Sequence, residues 1–284
     1  MARAQFDVAP AMRVDFTTPA GAPALLAPDS LTWRVMKNPV ALAAGGIAAV
    51  LLELAEPRVR TGVWEHTSFR RDAAQRMRRT GYAAMVTIYA PAGAARAMIA
   101  GVNAAHARIA GATPAGQPYR ADDPELLAWV HATAAYGFMQ AYDAFVRRLS
   151  AAERNQFLAE GAPIAALYGA TEAPRNEAAL EQLFEKVRPR LEASDIFKEF
   201  LSLLEAAPFL PTRTLRKLMI SAAIEILPAW ARETLRLERR RRFAWGGLSL
   251  VRAFGAAAEK LVLADAPPAQ ACARLGLAKD YLYR

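Results

Sequence analysis

The sequence predicts an all-α fold, and three observations carry that prediction. Alanine is abundant and β-branched residues are sparse; alanine has the best intrinsic helix propensity, whereas β-branching restricts χ1 in a helix. No alternating polar–apolar run extends beyond about four residues, so no half-buried strand is signalled. Helix-start residues (Ser, Thr, Asp or Asn) recur ahead of apolar-periodic stretches. Hydrophobic residues make up 54% of the 284, enough for a sizeable core and too many for a disordered chain. The expected organisation is an N-terminal arm over 1–28 and a single domain of about ten helices over 29–284.

Residues 1–28 are rich in Ala, Pro and Gly without a period and read as an extended or partly ordered arm. Asp29 or Ser30 caps a short helix around Trp33. Asn38-Pro39 opens a helix that Gly45-Gly46 weakens; it runs to about Glu56, where Pro57 closes it. Val59 to Phe69 is a short helix or turn. Asp72 caps a helix to about Tyr89, which Pro91 and Gly93 end. The next helix, Ala94 to Ala110, carries His106 and ends with Gly111 as a left-handed cap. A loop over 111–121 leads to Asp122 or Asp123, which caps a long helix from Glu125 to about Leu149 with Pro124 at its first position. Ser150 and Glu153 form a capping-box pattern. Further helices are expected over Asn176 to Leu191, Ser194 to Leu204 and Thr212 to Leu227. From Pro228 a helix carrying Arg239–Arg242 is expected, then helices over 248–263 and 267–275.

The net charge is +9, much of it clustered, notably at Arg239-Arg240-Arg241-Arg242. Such a run suits phosphate, nucleic acid or a membrane surface, or equally a solvated helix end beside Glu238. No helix-turn-helix, zinc-finger or RNA-binding signature accompanies it, so no nucleic-acid partner is expected. Cys272 is the sole cysteine, which excludes an intramolecular disulfide or a cysteine-built zinc or iron–sulfur site. A lone thiol and an N-terminus without the apolar core of a signal peptide fit a cytoplasmic protein. The longest apolar run, Pro39 to Leu52, is shorter than the roughly 20 residues that span a bilayer, and reads as a buried helix. Homo-oligomerisation stays open.

The chemistry concentrates between Pro57 and Tyr119. His106 sits on an almost chargeless helix, sharing a face with Ile99, Val102, Asn103, Ile109 and Ala110 and flanked by Ala104, Ala105 and Ala107. A flat macrocycle can approach such a surface, and a neutral imidazole is the usual proximal ligand of haem iron; alternatively His106 is a core histidine bonded to a backbone carbonyl. Arg76, Arg79 and Thr80 share one helix face, where two guanidiniums and a hydroxyl suit haem propionates, bound dioxygen or substrate, or else form a solvated basic face. His66 reads as a second ligand, a gate or a structural hydrogen-bonding residue. His131 reads as pocket-lining or as a satisfied core histidine. Metalloprotease, hydrolase, nucleotide-binding and dinucleotide-binding motifs are absent.

Taken together and in order, several segments resemble the DUF2236 family, which includes rubber oxygenase (latex-clearing protein) and the MpaB-type oxygenases. They are Glu56-Pro57 after an apolar helix, His66-Thr67-Ser68-Phe69, Arg76-x-x-Arg79-Thr80, His106 with Gly111 five residues on, Gly116-x-x-Tyr119, and Asp123-Pro124-x-x-Leu127-x-Trp129-Val130-His131. The likeness covers about 35–170. It implies an all-α fold enclosing a b-type haem, His106 as the proximal iron ligand, and Arg76 and Thr80 near the haem. Arg79 stands where rubber oxygenase has a lysine, and a guanidinium is a poor iron ligand because it stays protonated. The resemblance implies a haem b-dependent oxygenase that uses dioxygen. With no secretion signal in view, the expected substrate is a small or medium apolar molecule rather than an extracellular polymer. A haem-binding sensor or carrier, or a helical interaction module with structural histidines, are the rival readings.

Overall fold

Thirteen α-helices form among the described residues of the computed structural model, which are 13–208, 210–237, 243 and 246–284. Most begin where a side chain accepts the backbone N–H groups that a first helical turn leaves unpaired. The Ser30 hydroxyl accepts from Trp33 at the head of α1 (Leu31–Lys37). The Asn38 carbonyl accepts from Val40 and Ala41 at the head of α2 (Pro39–Glu53). α3 (Pro57–His66) starts on the Glu56 carboxylate, which accepts from Arg58 and Val59 at 2.7 and 3.0 Å. Asp72 caps α4 (Ala73–Tyr89), and α5 (Ala92–His106) follows Pro91. After a hairpin of β1 (Ala110–Ala112) and β2 (Pro118–Arg120), Asp123 caps α6 (Pro124–Phe145). Ser150 and Glu153 complete a reciprocal capping box on α7 (Ala151–Leu167). Asn176, Ser194 and Thr212 cap α8 (Glu177–Val187), α9 (Asp195–Ala206) and α10 (Arg213–Glu225). α11 (Ala229–Thr234), α12 (Gly247–Glu259) and α13 (Pro267–Arg274) complete the set.

Several boundaries differ from expectation, each for a local reason. α2 stops at Glu53 rather than near Glu56, because Glu56 turns back to cap α3; Pro57 opens a helix as well as closing one. α5 ends at His106, not Ala110, so Ile109 and Ala110 do not continue its face. Gly111 is not left-handed. The segment expected to be a loop over 111–121 is an antiparallel hairpin in which Gly111 pairs with Tyr119, and Gly116 takes the positive φ at the turn. A Cβ on Gly111 would lie 2.6 Å from the Tyr119 hydroxyl, so the glycine is there for close approach. α6 ends at Phe145 instead of Leu149, where the buried Asp143 carboxylate accepts the Leu149 amide at 2.7 Å. The helix expected from Pro228 to carry the arginine run ends at Thr234, and Arg239–Arg242 lies outside the described residues.

The core is organised around α2 and α6, which cross at backbone contact. A Cβ on Gly45 would lie 2.7 Å from the Gly137 carbonyl oxygen, and one on Gly137 would strike the Gly45 carbonyl. α10 and α12 pack on the same pair. Trp129, Tyr136 and Trp230 gather around Phe184, with ring centroids 5.3–5.8 Å apart. The segment 13–28 holds no helix but is tied down: the buried Arg274 donates to the Phe16 and Ala22 carbonyls at 2.7 and 2.8 Å. The helix α5 is different. It leans on α4 and buries only Ala95 and Ile99. Among the described residues no single helix is long and apolar enough to cross a membrane; α1 and α2 together have the length and composition but meet at a 93° bend, and α2 is mostly buried.

Candidate functional site

The Arg76 charge acts on two other ionisable side chains, Glu53 and His106, each from a different helix. Glu53 is the last residue of α2 and its only ionisable one, at the end of a run whose other side chains are all apolar. Burial pushes its carboxyl up to about 7, with the Arg76 charge opposing the shift. Arg76, on α4, is itself lowered by burial, with Glu53 opposing and Arg79 adding to the effect. Its guanidinium donates to the Thr80 hydroxyl, which in turn donates to the Arg76 carbonyl at 2.9 Å. Thr80 therefore orients Arg76 one turn away.

His106 ends α5 and completes the group. Burial lowers its pKa, the Arg76 charge lowers it further, and Asp122 at the end of the hairpin opposes them. The imidazole is thus biased to the neutral form, with a ring nitrogen lone pair available. Its Nδ1 is buried and has no hydrogen-bond partner. Buried polar atoms are normally paired, so an orphaned imidazole nitrogen beside a fixed cation marks a place for a ligand. Together these groups can offer a neutral nitrogen to a metal centre, a guanidinium to an anion, and a carboxyl that exchanges its proton near neutrality.

The remaining candidates are dispersed. Arg79 and Thr80 are exposed, and Arg79 makes no hydrogen bond or ion pair among the described residues. Ile99 is buried, Val102 is half-buried, and the Asn103 amide donates to the Leu167 carbonyl at 2.8 Å, tying α5 to the end of α7. His66 pairs through Nε2 with the Tyr119 hydroxyl at 3.1 Å, and that hydroxyl also donates to Glu65 at 3.3 Å. This contact fastens the hairpin to α3. His131 lies against Gly161, its pKa lowered to about 4 by burial, with Nε2 unpartnered. The three histidines therefore occupy separate settings. Among the described residues no group of three or more His, Cys, Asp or Glu could hold a metal ion.

Sequence reading missed Glu53 and took Asp122 only as a candidate cap. The signal for Glu53 was present, as a solitary charge closing a chargeless helix. Nothing local pointed to its partner on α4.

In comparisons with known proteins, no curated protein and no solved structure matches. A family model does, over residues 33–259, from Trp33 on α1 to Glu259 at the end of α12, and so takes in Glu53, Arg76 and His106. Its description is "ER-bound oxygenase mpaB/B'/Rubber oxygenase, catalytic domain", and the chain belongs to that family.

Proposed function

We propose that the chain is a haem b-dependent oxygenase that acts on a small or medium apolar molecule with dioxygen, and that His106 is the proximal iron ligand. The observation that carries the reading is the buried, unpartnered Nδ1 of His106, on an imidazole biased to neutrality beside the Arg76 guanidinium. Membership of an oxygenase family supports the reaction class.

The donor set fits a flat, anionic cofactor. A neutral imidazole is the form that ligates iron, and it sits at the end of a helix whose exposed flank is small: Gly101 and Ala104. Arg76, oriented by Thr80, supplies a fixed charge for a propionate. Haem, when bound, would supply the redox centre and the dioxygen site. Arg79 makes no hydrogen bond or ion pair among the described residues, so it would be available to contact a bound anion, and a guanidinium would be a poor iron ligand. Glu53, with a carboxyl near 7, would hold or release a proton next to Arg76 at neutral pH.

The test is His106→Ala, with haem content per chain and helical circular dichroism as readouts. The expected result is a folded protein that no longer retains haem, since the side chain is only half-buried and its removal leaves the core intact. Full haem occupancy with an unchanged absorption spectrum would remove His106 from the site. A colourless His66→Ala or His131→Ala would transfer the role to that residue. Dioxygen-dependent turnover of an apolar substrate separates an oxygenase from a haem carrier.

A further inference from the structure

The large apolar side chains most exposed among the described residues all fall in one stretch, 250–263. They are Leu250 at 45%, Phe254 at 44%, Leu261 at 56% and Leu263 at 40%. Helix α12 already has an inward flank: Gly247, Val251 and Gly255 are buried, and a Cβ on Gly255 would strike the Phe145 carbonyl. Leu250, Phe254 and Ala257 recur at spacings of four and three residues, so they form a second apolar stripe on α12, facing outward, and the exposed Leu261 and Leu263 follow just past its end. Helices with one core-facing stripe need no second, and a clustered exposed patch marks an interaction surface.

The charges around the stripe select its partner. Arg252 and Lys260 are exposed and have no carboxylate partner among the described residues, where Arg252 donates to the Ala144 carbonyl. Glu259 turns inward, where Lys37, Asn38 and Tyr142 hold it. Asp265, past the last leucine, is the nearest exposed acid on this stretch. In the sequence, Arg239–Arg242 precedes the helix, and the whole chain carries +9. A second copy of the chain docked on this stripe would bring Arg252 and Lys260 of both copies together between two strongly basic molecules. An anionic bilayer surface satisfies both features: its acyl boundary takes the leucines and phenylalanine, and its headgroups take the cations.

We propose that the outward flank of α12, continued through Leu263, is a peripheral docking surface for anionic lipid. At 13 residues the helix is too short to span a bilayer and would lie in the interface. The inference does not depend on haem or on the reaction.

The experiment is co-sedimentation of the full chain with phosphatidylcholine vesicles, with and without phosphatidylglycerol, at low and high salt. Binding is expected only with phosphatidylglycerol present, with release by salt. The double variant Leu250→Ser/Phe254→Ser should lower partitioning about tenfold or more. Arg252→Gln and Lys260→Gln should each lower it roughly fivefold. If circular dichroism shows the first variant to be unfolded, Leu261→Ser/Leu263→Ser, which lies beyond the helix, replaces it. No binding to phosphatidylglycerol vesicles overturns the proposal, as does undiminished binding by the folded serine variants. A dimer in solution that the serine variants dissociate, without vesicle binding, assigns the stripe to a second copy instead.

Discussion

Glu53 and His131 give opposite pH signatures. Glu53 ionises near 7 in the fold but near 4.5 when exposed, so between these values the folded chain binds more protons. Its contribution is complete below about pH 4.5 and is lost as pH rises through 7. His131 is lowered to about 4 from 6.5, so its contribution is complete above 6.5 and is lost as pH falls through 4. Each effect is worth up to about 3 kcal/mol. Urea midpoints across pH should show Glu53→Gln flattening the loss of stability as pH rises from about 4.5 to 7, and His131→Gln the loss as pH falls from about 6.5 to 4; a variant that keeps the wild-type slope would show that its residue is not the cause. The two arginines should separate as well. In haem-loaded protein, Arg79→Ala should weaken cyanide binding about tenfold to a hundredfold while haem stays in place. Arg76→Ala should instead loosen the haem, read as faster transfer to apomyoglobin. Cyanide affinity unchanged in Arg79→Ala would point that side chain away from the iron. The sequence put His106 and Arg76 in one motif-bearing stretch, and the fold brings their charges within reach of each other, whereas Arg79 stays exposed. Glu53 was not legible, because its meaning depends on Arg76, more than twenty residues along the chain, whose charge only the fold brings near.

At the scale of elements, helix starts that carry their own side-chain cap were legible, and the ends of α2, α5 and α6 were not. Ser30, Asp72, Asp123, Ser150, Asn176, Ser194 and Thr212 cap from their own side chains, so a few adjacent residues decide the matter. The end of α5 depends on a hairpin of three-residue strands, too short to alternate detectably, held by Tyr119 against α3. Gly45 was read as a weakness within α2; its partner Gly137 is on another helix, and the contact makes it indispensable. Gly137→Ala would meet backbone, which cannot give way as a side chain can, and should cost about 3 kcal/mol or more. A chemical denaturation midpoint within error of wild type would mean that the α2–α6 crossing has slack.

Taken as a whole molecule, the all-α class followed from composition and period, because helices depend on contacts near in sequence. The fastening of the arm did not, since Arg274 is far along the chain from the carbonyls it holds. Arg274→Met should leave those carbonyls unpaired, cost roughly 2 kcal/mol, and open the chain to chymotrypsin after Phe16. Resistance equal to wild type would mean that the arm is held by other contacts. The remaining consequence concerns α5, which buries two residues, leans on α4, and is otherwise tied by the Asn103–Leu167 hydrogen bond and by the Ala92 amide to Pro23. A helix so lightly held should exchange its amide hydrogens through small openings that leave α2 and α6 closed. The segment that carries His106 would then serve as its own loading door, swinging out to admit a rigid disc and closing once the disc is tethered. Hydrogen exchange should find 92–106 among the fastest helical amides without haem, and among those most slowed once haem is added.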